Sequence, residues 1–161
     1  MSRTINKQLD AAIQATRQED YLRAYTQFVE LYGSDDLASI GSPKAATGLS
    51  FFGLCLVLVQ KKVKPALDLC KRAIELEFYN GDHYVNLTKV YIAAGNRKKA
   101  VEAVEGGLKH LPDHEGLMNL RKEMGVRARP AVPFLTRNHP INVALGQKRE
   151  ARKESAKAAK K

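Results

Sequence analysis

Short helical segments of similar length follow one another along most of this 161-residue chain. Residues 18–20, 33–36, 41–43, 61–64, 80–82, 95–97 and 112–113 are rich in helix breakers, and they divide the chain into pieces of about 12–15 residues. Near the N-terminus, apolar residues recur at the three- and four-residue steps of a helix face. These residues are Leu9, Ile13, Tyr21, Ala24, Tyr25, Phe28 and Leu31. Because no strand-like alternation bounded by turns is found, the sequence predicts an all-α protein.

Several of the breakers also predict where individual helices begin and end. Ser42 followed by Pro43 has the order of an N-cap and a first-turn proline. We expect Asp82 and Asp113 to act as further N-caps. Gly95 is predicted to end a helix in a tight turn.

The segment 81–114 carries the clearest internal repeat. Its marked residues stand at the spacings W-x2-L-G-x2-Y…A-x3-F…P, and they are Tyr84, Leu87, Tyr91, Ala100, Val104, Gly107 and Pro112. This pattern resembles a tetratricopeptide repeat (TPR). Thr88 replaces the usual small residue of the first helix, and Val104 replaces an aromatic residue.

Two further copies precede this segment. In the copy 47–80, Phe52-Gly53 and Leu56 align with the first helix, and Ala66, Cys70 and Ala73 align with the second, provided that the turn near 61–64 holds one extra residue. The copy 5–38 is weaker, with Ala24 and Phe28 as its clearest matches. An irregular insert is expected at 39–46.

The resemblance implies a right-handed α-α superhelix of antiparallel helix pairs, a TPR-like solenoid in which small residues allow close helix approach. We predict two domains. Residues 1–125 would hold repeats at about 5–38, 47–80 and 81–114 and a capping helix at 115–124. Residues 126–161 would form an extended, proline-containing strap and then a basic helical tail that begins at Pro140.

By the same resemblance, the first helix of each repeat would line a concave, peptide-binding groove. The lining positions would be Asn6, Leu9, Asp10, Ile13, Arg17, Phe51, Phe52, Cys55, Leu58, Asp82, Val85, Asn86 and Lys89. The alternative is that Phe51, Phe52 and Leu58 are core residues and no groove is open.

One branch of this family binds acidic chaperone C-termini through a clamp of Lys, Asn and Arg. Its clamp positions fall here on Leu9, Ile13, Asp82 and Asn86. Because apolar groups cannot satisfy a buried carboxylate, this binding mode is not expected. A groove that is apolar at its middle and polar at its rim fits an apolar peptide or an amphipathic helix of another protein.

No nucleotide-binding or nucleophile-elbow motif is found, so we expect no enzymatic activity and no cofactor. His110 and His114 are four residues apart, but Pro112 separates them, so they are predicted to be loop histidines and not metal ligands. Cys55 and Cys70 show no metal-binding spacing and are predicted to be buried free thiols, with a redox or disulfide role as the alternative.

The charge is unevenly divided along the chain. The total is +10, of which residues 1–125 carry +2 and residues 126–161 carry +8. Cationic side chains in the tail could contact phosphates, and they are Lys148, Arg149, Arg152, Lys153, Lys157, Lys160 and Lys161. Without interleaved aromatic residues, any nucleic-acid or ribosome binding would be weak, salt-dependent and non-specific, and a purely solubilising tail is the alternative.

Two other tail hypotheses concern its apolar residues. The segment Val132-Pro133-Phe134-Leu135 is either a strap packed on its own domain or a partner-docking motif. Attachment to an anionic membrane is a further hypothesis, although the helical part of the tail has only a short apolar face.

The sequence therefore favours a non-enzymatic scaffold or adaptor that binds another protein, with nucleic-acid association through the tail as the alternative. The first residues lack the apolar core of a secretory signal, and no apolar run is long enough to span a membrane, so a cytoplasmic location without integral membrane association is expected. Self-association stays open.

Overall fold

A computed structural model describes residues 2–32, 43–125, 131–136 and 138–158. These residues form helices and no strand. The helices are α1 (Ser2–Arg17), α2 (Tyr21–Tyr32), α3 (Pro43–Gln60), α4 (Val63–Leu76), α5 (Gly81–Ala93), α6 (Arg97–His110), α7 (Glu115–Glu123) and α8 (Pro140–Ala158). The chain divides into one compact unit that ends at Gly125 and a second that begins at Val126.

The first unit is a stack of three helix hairpins. Helices α1 and α2, α3 and α4, and α5 and α6 pack in pairs, and the first helices of neighbouring pairs also contact each other. Helix α7 covers the end of the stack by packing on α5 and α6. The all-α prediction is confirmed, and the hand of the superhelix stays a prediction.

Residues with a left-handed backbone conformation occur at the hairpin turns and follow the repeat period. Glu19, Lys61 and Gly95 have φ values of 63°, 57° and 71°, and each one follows the first helix of its pair. Lys61 and Gly95 are 34 residues apart, whereas Glu19 and Lys61 are 42 apart, which is one period plus eight residues. The eight additional residues match the length of the expected insert.

Two predictions about this insert and its neighbouring turn are corrected. Residues 43–46 belong to α3 and are not irregular, while residues 39–42 lie outside the described residues. The extra residue expected in the turn at 61–64 is not there, because α4 and α6 begin at Val63 and Arg97, again 34 residues apart.

The helix caps follow the sequence only in part. Gly95 ends α5 as predicted, with its N–H donating to the carbonyl of Ile92. Asn80, not Asp82, is the N-cap of α5, and its side chain accepts from the N–H of Asp82. His114, not Asp113, is the N-cap of α7. Ser42 lies outside the described residues.

Close helix approach explains the small residues of the repeat pattern. A Cβ atom on Gly107 would lie 2.8 Å from Cβ of Tyr84, and one on Gly53 would lie 2.8 Å from the carbonyl oxygen of Ala66. Thr88, which stands where the repeat pattern has a smaller residue, is fully buried. Its hydroxyl donates to the Tyr84 carbonyl at 2.7 Å, so the polar group has a hydrogen-bond partner within its own helix.

The core of this unit lies on both sides of α3. One apolar cluster is formed by α1, α2 and α3 around Phe28, and a second is formed by α3, α4 and α5 around Val57 and Val90. Because α3 contacts α1, α2, α4 and α5, its apolar residues point in all directions.

In the second unit, residues 131–136 form a turn rather than an extended segment. The N–H of Leu135 donates to the carbonyl of Val132 at 3.3 Å. Helix α8 then begins at Pro140, as the sequence predicts, and its described part ends at Ala158.

Candidate functional site

A cavity of about 270 Å³ opens where the first helices of the three hairpins meet. Residues of α1, α3 and α5 line it, together with the turn that precedes α2 and the first residue of that helix. These are Thr16, Arg17, Glu19, Tyr21, Phe51, Leu54, Asp82, Val85, Asn86 and Lys89. We call this cavity the groove. A second cavity, of about 340 Å³, lies at the end of the stack beside Ile92 and Met124.

Six of the thirteen predicted groove residues line the groove. They are Arg17, Phe51, Asp82, Val85, Asn86 and Lys89. Four further residues line the groove and were not predicted, namely Thr16, Glu19, Tyr21 and Leu54. Leu54 follows Phe51 by one helical turn, so its place in the groove could have been predicted from the helical spacing of α3. Glu19 and Tyr21 lie at and just after the first hairpin turn, and they reach the groove only because the chain folds back there.

The other predicted residues do not line this groove. Leu9, Ile13 and Cys55 belong to the core cluster of the first hairpin, and Asp10 forms a surface ion pair with Lys44. Asn6 and Leu58 are half-buried outside the groove lining.

Phe52 packs against α2 and does not line the groove. Its ring stacks on that of Tyr32 at a centroid distance of 4.9 Å, and it also contacts Phe28 at 5.6 Å. Phe51, the neighbouring residue, lines the groove instead. Phe52 is therefore a half-buried residue packed against the core cluster, whereas Phe51 is a buried member of that cluster that also lines the groove.

An ion pair crosses the groove. Nη2 of Arg17 donates to Oδ2 of Asp82 at 2.9 Å, which links the end of α1 to the start of α5. The Arg17 guanidinium carbon also lies 5.6 Å from the centre of the Phe51 ring, within the range of a cation–π contact. Arg17 therefore covers the aromatic part of the floor while Asp82 holds it in place.

The remaining polar groups of the floor are hydrogen-bonded inside the protein. Asn86 is almost fully buried, and its Nδ2 donates to Oγ of Ser50 at 3.0 Å. The hydroxyl of Thr16 donates to the carbonyl of Ala12 at 2.9 Å. Burial, followed by the negative charge of Glu19, raises the pKa of the Tyr21 hydroxyl. The floor of the groove thus combines apolar side chains with internally hydrogen-bonded polar ones, and its rim has charges of both signs.

Both cysteines are buried free thiols, as predicted. Burial raises the pKa of Cys55 to about 11, against a smaller opposite effect of its contact with Thr16, and raises that of Cys70 to about 12. Such thiols are almost entirely protonated at neutral pH, so they are poor nucleophiles and poor metal ligands.

The histidines take structural positions. His110 ends α6 and its ring contacts Phe78, while His114 caps α7 through Nδ1, which accepts from the N–H of Leu117. Among the described residues, no three His, Cys, Asp or Glu side chains are grouped so that they could hold a metal ion.

The basic tail residues are only partly described. Lys148, Arg149 and Arg152 are exposed on α8. Lys153 and Lys157 lie in the same helix without described side chains, and Lys160 and Lys161 lie outside the described residues. None of the helices in the described ranges is both long and apolar enough to cross a membrane.

Comparisons with known proteins identify the fold. No protein-family model matches the chain, and no curated protein matches it. Among solved structures, the chain is similar to the first TPR of Spaghetti (RPAP3) bound to the HSP90 peptide SRMEEVD, with a TM-score of 0.56 and 15% sequence identity over 78% of this chain and 93% of that one. Together with the hairpin stack and its 34-residue period, this similarity shows that the chain has a tetratricopeptide-repeat fold.

Proposed function

We propose that this protein is a non-enzymatic scaffold or adaptor that holds a peptide or helix of a partner protein in the groove. The observation that carries the proposal is the groove itself, because residues from α1, α3 and α5 place the apolar side chains of Phe51, Leu54 and Val85 among polar groups, beneath a charged rim. Recognition sites for apolar peptide segments have this composition.

The similar structure supports a peptide as the ligand, since that TPR domain is bound to an HSP90 peptide. The acidic end of SRMEEVD is nevertheless a poor fit here. At the clamp positions suggested by the family resemblance, this chain has buried Leu9 and Ile13, the carboxylate of Asp82 and the neutral side chain of Asn86. None of these four side chains is a cation that could pair with a peptide carboxylate, and Asp82 would repel one.

The charges of the rim indicate what kind of peptide fits instead. Arg17 and Lys89 are balanced by Glu19 and Asp82, so the lining has no net charge. Arg17 and Asp82 already neutralise each other at 2.9 Å. An apolar or amphipathic segment without a strong net charge is therefore the ligand class that we propose.

Selection from a random peptide library on the immobilised full chain, followed by calorimetry on the selected peptides, tests this proposal. Val85→Glu places a carboxylate in the apolar part of the groove, so we expect an affinity loss of at least about 10-fold. Val101→Glu is the matched control, because Val101 is also half-buried but lies on α6 outside the groove. Far-UV circular dichroism of both variants verifies that they fold.

Equal affinity of the selected peptides for Val85→Glu and the unchanged chain would contradict the groove as the binding site. Saturable binding of SRMEEVD would contradict the proposed ligand class while leaving the scaffold function in place. A cytoplasmic location and self-association stay predictions.

A further inference from the structure

A single buried side chain organises the second unit. Asn142 in the first turn of α8 is 6% exposed. Its Oδ1 accepts from the N–H of Val132 at 2.8 Å, and its Nδ2 lies within 3.1 Å of the carbonyl oxygens of Val132, Leu135 and Thr136. The turn at 131–136 is therefore attached to the start of α8 by side-chain hydrogen bonds.

This attachment holds a large apolar side chain in solvent. Phe134, in the middle of the turn, is 86% exposed, and Ile141 and Leu145 on the adjoining helix are 50% and 39% exposed. A fixed turn that presents an exposed phenylalanine has already lost the conformational entropy that binding would otherwise remove. Such preorganisation points to a surface that inserts Phe134 into an apolar environment.

Exposed cationic side chains lie on the same face of α8 as Ile141 and Leu145. Residues Ile141, Leu145, Lys148 and Arg152 follow one another at helical steps of four, three and four, which places them on one side of α8. Lys148 and Arg152 are exposed, and Arg149 adds a third exposed cation beside them. The surface thus begins with apolar side chains and continues with cationic ones.

We propose that residues 131–158 form a peripheral docking surface for an anionic lipid bilayer. Phe134, Ile141 and Leu145 would enter the interface, while Lys148, Arg149 and Arg152 would face the headgroup phosphates. Charge complementarity identifies the occupant, since residues 131–158 hold six basic and two acidic side chains, a net +4, and amphipathic surfaces with Phe or Leu beside Lys and Arg bind bilayer interfaces.

The turn supplies exposed apolar surface, of which α8 by itself has little. The apolar face of the helix is short, whereas the turn attached through Asn142 carries a further exposed apolar side chain, Phe134, beside the start of that helix. Exposed aliphatic side chains such as Ile141 and Leu145 contribute nothing to phosphate contacts with a nucleic acid, and this favours the bilayer over RNA or DNA as the partner.

Flotation of the full chain with vesicles tests the proposal. We expect the chain to float with an equimolar mixture of phosphatidylglycerol and phosphatidylcholine, but not with phosphatidylcholine alone. Replacement of Lys148, Arg149 and Arg152 by Gln is expected to lower the partition coefficient by about 100-fold, since each cation near an anionic surface contributes about 5-fold. The matched control replaces the exposed Lys71, Lys98 and Lys109 of the first unit by Gln.

Insertion of Phe134 is tested by fluorescence. The chain contains no Trp, so Phe134→Trp introduces a single reporter at the proposed contact, and Phe78→Trp introduces one at an exposed phenylalanine of the first unit. With the anionic vesicles we expect a blue shift for Phe134→Trp and none for Phe78→Trp. Both sites are exposed, so neither substitution disturbs the core.

Three results would overturn the proposal. The first is absence of flotation with the anionic vesicles, including the case in which the chain binds single-stranded RNA instead. The second is equal flotation of the tail and control triple variants. The third is an unshifted emission spectrum for Phe134→Trp in the presence of vesicles that the chain binds.

Discussion

Nε2 of His83 lies 3.0 Å from Oε2 of Glu77, and the imidazole that makes this contact is fully buried. The same carboxylate oxygen accepts from Nδ2 of Asn80 at 2.9 Å, so one buried acceptor holds together the turn between α4 and α5. Within the described part of the chain, Nδ1 of His83 has no hydrogen-bond partner. A neutral imidazole that donates from Nε2 satisfies this geometry.

We expect protonation of His83 to destabilise the protein. Burial lowers the pKa of His83, and the hydrogen bond and charge of Glu77 oppose this effect only in part. Because the folded pKa lies below the unfolded value of about 6.5, the stabilisation is complete above that pH and is lost as the pH falls through the folded pKa. Urea unfolding at about pH 7.5 and about pH 5 should show a smaller decrease in the free energy of unfolding for His83→Gln than for the unchanged chain.

His110→Gln is the control for this measurement, because His110 is exposed at the end of α6. This variant leaves the buried contact between His83 and Glu77 in place. The same decrease in His83→Gln as in the unchanged chain would show that His83 is not the titrating group.

The neighbouring glycines of α6 should respond in opposite directions to alanine. A Cβ on Gly107 would lie 2.7 Å from Cδ1 of Leu117 and 2.8 Å from Cβ of Tyr84, so Gly107→Ala is expected to cost about 1–3 kcal/mol of stability. A Cβ on Gly106 would meet no atom within 4 Å, so Gly106→Ala should add about 0.5–1 kcal/mol through helix propensity.

Thermal or urea unfolding of the two variants measures this difference, and each serves as the control of the other. If both variants were stabilised, α5, α6 and α7 would not approach each other as closely as described. If both were destabilised, helix propensity would not govern position 106.

The ion pair across the groove should contribute little to the stability of the fold. The side chains of Arg17 and Asp82 are 54% and 36% exposed, and ion pairs of this kind contribute about 0–1 kcal/mol in salt. A double-mutant cycle of Arg17→Ala and Asp82→Ala, followed by urea unfolding, should give a coupling energy within that range that decreases as salt is added. A coupling energy far above it would mean that the pair holds the first and third hairpins together.

The two thiols should be unreactive in the folded protein. Burial raises the pKa of Cys55 to about 11 and that of Cys70 to about 12, so very little thiolate exists at neutral pH. Mass spectrometry after iodoacetamide treatment should find both thiols unmodified in buffer and both modified in denaturant. Rapid modification of Cys55 or Cys70 under native conditions would support the redox alternative.

The positions of the helices could be predicted because the signals that determine them are local. The breakers at 18–20, 61–64 and 95–97 all fall at hairpin turns of the structure. The caps were predicted less well, since Asp82 turns its carboxylate to Arg17 and leaves the cap to Asn80. A residue that forms a tertiary contact is not free to act as a cap, and the sequence does not show such contacts.

The groove was predicted only in part, and α3 shows why. Its neighbours cover it on several sides, so it has no polar face by which the sequence could reveal its orientation. Phe51 and Phe52 therefore could not be told apart, although one lines the groove and the other stacks on Tyr32. On α5 all four predicted residues line the groove, whereas on α1 only Arg17 does, because the other four predicted residues of that helix lie in the core or outside the groove lining.

By itself, the sequence determined the helix type, which depends on residues a few positions apart. It also determined the 34-residue period and the small residues that mark it, because one pattern recurs along the chain. Only the tertiary structure decided which side chains meet in the groove. Arg17, Phe51 and Asp82 come from three different helices, and their distances are set by how the hairpins pack on each other. That packing results from burial of apolar surface over the whole stack, so no single segment contains the information that specifies it.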